Sequence, residues 1–104
     1  MFRRGDERIA ASEPVRSRDL SDEEIVARGQ AIYESRLKRR LEPEEAGKFI
    51  AVAVEDGDYE VADTSLEADQ LLRKRHPDAV FYVNRIGYAY ADMWVTPWTT
   101  PHAG

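Results

Sequence analysis

The side chains best suited to proton transfer or cation binding fall in one stretch. Glu55, Asp56, Asp58, Glu60, Asp63, Glu67 and Asp69 follow one another with no basic residue among them. Carboxylates work as a general acid and base when an apolar pocket raises the pKa of one of them. Here the acids straddle a tight turn at Gly57 and the start of a helical pattern, where water reaches them. A calcium loop would need Asp-x-Asp-x-Asp-Gly and a glutamate at its twelfth position, and the stretch lacks that pattern. A turn and a helix cap account for Asp56, Asp58, Asp63 and Glu67. Nucleophilic catalysis has little to draw on: no serine lies in Gly-x-Ser-x-Gly, His76 precedes Pro77 at a helix end, and His102 stands close to the last residue. The six glycines are dispersed and form no phosphate-binding loop. With no cysteine, disulfides, thiolate metal sites and cysteine nucleophiles are excluded. Two histidines alone do not complete the usual zinc sites. No catalytic residue, metal or cofactor is expected.

Two other groupings suit binding. Arg3, Arg4 and Arg8 begin the chain, and Arg36, Lys38, Arg39 and Arg40 end a helical pattern. They offer a surface for nucleic acid. Against this, 15 basic and 20 acidic residues give a net charge of −5, which opposes a phosphate backbone. Cations at a helix C-terminus also have a local explanation in the helix dipole. The other grouping is aromatic: Tyr88, Tyr90, Trp94 and Trp98 lie in a last quarter charged only at Arg85 and Asp92. Exposed aromatics of this kind carry binding energy at protein interfaces; alternatively, the segment folds back to complete the chain's own core.

These residues need elements to hold them. At 104 residues, one small domain is expected. Residues 1–19 lack apolar periodicity and read as a flexible arm. Leu20-Ser21-Asp22-Glu23-Glu24-Ile25 has the spacing of a capping box inside a hydrophobic staple. It predicts a helix to about Leu41, stopped by Pro43. Gly29 within it either permits close packing on a sheet or is merely tolerated. Phe49–Val54 is an apolar, β-branched run, and Asp56-Gly57 predicts a hairpin to a second strand at Tyr59–Ala62. Thr64-Ser65-Leu66-Glu67 starts a second helix, and Ala79–Ile86 forms a third strand. The order is α-β-β-α-β. Strand two carries acids and belongs at an edge, so the expected fold is an α+β domain over residues 20–90. It has a three-stranded mixed sheet (order 2-1-3), two packed helices and flexible termini. Strand three then lies at the other edge, unguarded by lysine or proline, ahead of an aromatic tail at 91–104.

Several blocks together resemble a family of small bacterial proteins. They are Ile32-Tyr33-Glu34, Gly47-Lys48-Phe49-Ile50-Ala51-Val52, Gly57-Asp58-Tyr59-Glu60-Val61, Pro77-Asp78-Ala79 and Arg85-Ile86-Gly87-Tyr88. Genes of that family often adjoin a gene for a small retropepsin-like aspartic protease. The resemblance implies an antitoxin-like partner in a two-gene unit, and supplies no functional residue. The protease's own Asp-Thr-Gly or Asp-Ser-Gly signature is absent here.

The expected function is therefore a non-catalytic protein-interaction module, a homo-oligomer or the small subunit of a bacterial complex. Val80, Tyr82, Tyr90, Trp94 and Trp98 would form its contact. The alternative is a nucleic-acid-binding regulator using Arg3, Arg4, Arg8, Arg36, Arg39 and Arg40. No apolar stretch approaches a membrane span of ~20 residues. The arginine-bearing N-terminal stretch also lacks a signal peptide's apolar region, so a cytoplasmic location is expected.

Overall fold

The computed structural model describes residues 16–88 and 92–96. Ser17–Asp19 make a short 3-10 turn, and Ser21 then caps the first helix as its spacing predicts. The Ser21 hydroxyl accepts from the Glu24 N–H, and the Glu24 carboxylate accepts from the Ser21 N–H. Helix α1 (Asp22–Ile32) continues through a π-helical stretch, Tyr33–Leu37, into α2 (Lys38–Glu45). The buried residues of this rod, Ile25, Gly29, Tyr33, Leu37 and Leu41, recur at every fourth position. At 3.6 residues per turn such a row drifts by about 40° per step and would wind off the sheet. The wider π turn, with Lys38 N–H bonded to Tyr33 C=O, brings the row back into phase. Pro43 does not stop the helix as expected. It lies inside α2, two residues before its end, on an exposed side where water can satisfy the carbonyl its ring leaves unbonded.

Strands β1 (Phe49–Ala53) and β2 (Asp58–Ala62) form the expected hairpin. Its turn has positive φ only at Gly57, so it is a longer loop than the two-residue type that needs positive φ twice. Thr64 caps α3 (Ser65–Arg73) by accepting from the Glu67 N–H. Strand β3 (Phe81–Arg85) follows, and β4 (Met93–Thr96) is the last.

The sheet corrects the three-stranded mixed arrangement. It has four strands in the order β2-β1-β3-β4, and every neighbouring pair is antiparallel. The hairpin sets β1 against β2. The return through α3 makes β3 parallel to β2, so both flank β1 in the opposite sense. The fourth strand comes from the segment expected as an aromatic tail: Met93-Trp94-Val95-Thr96 is uncharged and lies along the unguarded side of β3. The predicted edge is thus internal.

Helices cover opposite faces. Ile50, Val52, Tyr82 and Ile86 pack against Ile25, Tyr33, Leu37 and Leu41. Ala51, Ala53, Phe81 and Val83 pack against Ala68 and Leu72 of α3. Burial on both sides explains why β1 is apolar on both. The alanines on the second face bring α3 close, and a fully buried leucine such as Leu72 contributes roughly 2–3 kcal/mol. On the first face the approach is closer still: a Cβ at Gly29 would lie 2.1 Å from Tyr82 Cγ. Among the described residues, no helix is long and apolar enough to cross a membrane.

Candidate functional site: an aromatic face beyond helix α3

Helix α3 packs on β1 and β2 and reaches Phe81 and Val83 of β3, and the same sheet face continues past it to Arg85 and β4. Strand alternation puts Phe49, Arg85 and Trp94 on that uncovered part. Register sets Phe49 opposite Arg85 and Val83 opposite Trp94. The Phe49 and Trp94 rings lie with centroids 5.9 Å apart, tilted by 59°. The Arg85 guanidinium sits 4.7 Å from the Tyr88 ring centroid and 5.8 Å from that of Phe49. Arg85 Nε also donates to Gly47 C=O at 3.3 Å, and Nη1 pairs with Asp92 at 3.6 Å. The arginine is therefore held in place while its side chain stays substantially exposed. Trp94 remains 37% exposed and Tyr88 51%. Aromatics around a fixed arginine form a surface suited to protein recognition.

The three predicted contact residues that the structure describes do not lie together. Trp94 belongs to the patch. Tyr82 is fully buried under α1, where burial pushes its phenol pKa up. Val80 is half-buried, and its N–H donates to Ser17 Oγ at 2.7 Å. Tyr90 and Trp98 lie outside the described residues. Tyr88 was singled out with the aromatic grouping but not among the contact residues, and Phe49 and Arg85 were missed. Their signal was parity: Arg85 shares a face with Phe81 and Val83, but only the reach of α3 decides which of these is covered.

Of the alternative site, the structure describes only the helical arginines. Arg36, Arg39 and Arg40 line one shallow hollow of about 390 Å³ with Glu34 and Ser35. Glu34 also pairs with Lys38 at 3.4 Å. Arg3, Arg4 and Arg8 lie outside the described residues.

Within the acidic stretch, Asp58 and Glu60 are held in ion pairs with Arg75. Asp58 accepts from Arg75 Nε at 2.8 Å and Arg75 Nη2 at 3.0 Å, and it lies 2.9 Å from His76 Nε2. The Tyr59 N–H adds a fourth contact at 2.9 Å. The Arg75 guanidinium, before other causes, holds the Asp58 carboxyl well below the usual carboxylate range. Sequence gave His76 no partner acid, because α3 brings it to a residue 18 positions earlier. An Asp–His pair can orient a general base, and here the same carboxylate also binds Arg75. Among the described residues, no group of three or more His, Asp or Glu side chains is placed to hold a metal ion. No family model, curated protein or solved structure matches the chain. The functional reading therefore rests on this geometry.

Proposed function

We propose that the chain is a non-catalytic protein-interaction module acting in the cytoplasm, as a homo-oligomer or as the small subunit of a bacterial complex. One observation carries the reading: the sheet face beyond α3 presents Phe49, Trp94 and Tyr88 around a fixed Arg85. The family resemblance adds an antitoxin-like role beside the product of a neighbouring gene. Light scattering of the purified chain, with affinity purification from the native cell, tests it. Association should fall at least tenfold in the Arg85→Ala, Trp94→Ala double variant while circular dichroism stays unchanged. Association that ignores both substitutions overturns the reading.

The arginine-lined hollow at Arg36, Arg39 and Arg40 supports a second reading, a nucleic-acid-binding regulator. That reading requires binding that weakens steeply with salt and is lost on replacing the three arginines.

A further inference from the structure

Strand β4 has one neighbour among the described residues, which leave its other edge open. The phase of that edge can be read from the ladder. Arg85 N–H donates to Asp92 C=O at 2.9 Å, and the register continues through Val83 with Trp94 and Phe81 with Thr96. In an antiparallel ladder hydrogen-bonded pairs alternate with non-bonded ones. Asp92, Trp94 and Thr96 therefore turn their backbone groups toward β3, while Met93 and Val95 turn theirs outward.

We infer that the partner of this face is a second copy of the chain, paired antiparallel through β4 with Trp94 on the two-fold axis. The inference rests on the interaction-module reading and names its partner. Four observations converge on it. First, the outward groups are self-complementary: Met93 meets the partner's Val95, and Val95 the partner's Met93, each pair exchanging two N–H···O bonds. Second, this register puts Trp94 opposite the partner's Trp94 at a non-bonded position, with Cα atoms about 4.5 Å apart. The aromatic patches of the two copies then join across the axis. A shift that puts Val95 on the axis would require an N–H from Pro97, which has none. Third, Thr96 Oγ1 is buried and has no hydrogen-bond partner among the described residues. The register sets the partner's Asp92 directly opposite it.

Fourth, the sheet's two edges differ in charge. β2 carries Asp58 and Glu60, and Arg75 already donates to both and to Tyr59 C=O. Charged side chains and an occupied carbonyl guard that edge against pairing. Met93-Trp94-Val95-Thr96 carries no charge. The result is a continuous eight-stranded antiparallel sheet with closed two-fold symmetry.

Because the chain has no cysteine, single cysteine variants of the full-length protein report the register. Under mild oxidation Trp94→Cys should give a disulfide-linked species of twice the chain mass. Thr96→Cys should not, since in this register the two copies of residue 96 are roughly 13 Å apart and a disulfide needs Cα atoms within about 7 Å. Light scattering of the wild type at about 100 μM should give the dimer mass, and Trp94→Glu the monomer mass with circular dichroism retained. A monomeric wild type, or equal crosslinking of the two cysteine variants, overturns the self-pairing. If the wild type is monomeric but a defined partner still requires Arg85 and Trp94, only the self-pairing falls. If no association depends on those residues, the interaction-module reading falls with it.

Discussion

An alanine in place of Gly29 would gain about 1 kcal/mol in helix propensity, yet its Cβ would lie 2.1 Å from Tyr82 Cγ and 2.4 Å from Tyr82 Cβ. Both atoms are near the sheet backbone and have little room to yield. Overpacking of this kind costs about 1–3 kcal/mol, so after the propensity gain Gly29→Ala should destabilise by up to about 2 kcal/mol net in urea unfolding. In a Tyr82→Ala background, which removes Cγ and the ring but keeps Cβ, the cost should shrink without vanishing, which separates the contact from helix propensity. A second residue-scale expectation concerns Asp58. Arg75 and His76 favour its charged form, so its folded pKa lies below the unfolded value of about 3.9. Its contribution is then complete above pH ~4 and is lost as pH falls through the folded value. Between pH 5 and pH 2, Asp58→Asn should lose less melting temperature than the wild type. Parallel decline of the two proteins would refute the assignment.

At the scale of elements, the rod over residues 22–45 depends on its π turn. A π turn acts as one extra residue in an α-helix, so removing one there restores regular winding without turning one half against the other. Deleting exposed Ser35 should cost no more than about 1 kcal/mol. Deleting exposed Ala27, inside α1, rotates everything before it by about 100° and takes Ile25 out of the core. That protein should be strongly destabilised or unfolded by circular dichroism. The contrast also shows which features sequence could reveal. Ser21 with Glu24, Asp56-Gly57 and Thr64 act through neighbours three residues away or fewer, so their spacing located α1, the hairpin and α3. The π turn is an adjustment to a four-residue row laid against a sheet and has no local signature. β4 is four residues of ordinary uncharged sequence, and only the open side of β3 makes it a strand. The same limit applies to the site. Trp94 was visible as an exposed-type aromatic, whereas Phe49 and Arg85 became a pair only through β1–β3 register.

For the molecule as a whole, the net charge of −5 separates the two functional readings by sign. Two copies meeting at β4 bring together surfaces of like net charge, although the pairing strands themselves are neutral. Repulsion beyond the contact acts over roughly the Debye length, about 10 Å at 0.1 M salt and 3 Å at 1 M. Added salt removes that repulsion and takes nothing from backbone hydrogen bonds or Trp94 packing. Self-association should therefore hold steady or tighten two- to fivefold as NaCl rises from 50 to 500 mM. Binding of nucleic acid at Arg36, Arg39 and Arg40 would respond in the opposite direction. Each neutralised phosphate releases counterions, so three contacts on a duplex predict a log–log slope near −2.7 and a loss of several hundredfold over the same range. One sedimentation series without nucleic acid and one with a short duplex measure both slopes. Weakening of self-association with salt would mean that charged groups hold the contact, and the neutral β4 edge would then not be the pairing surface.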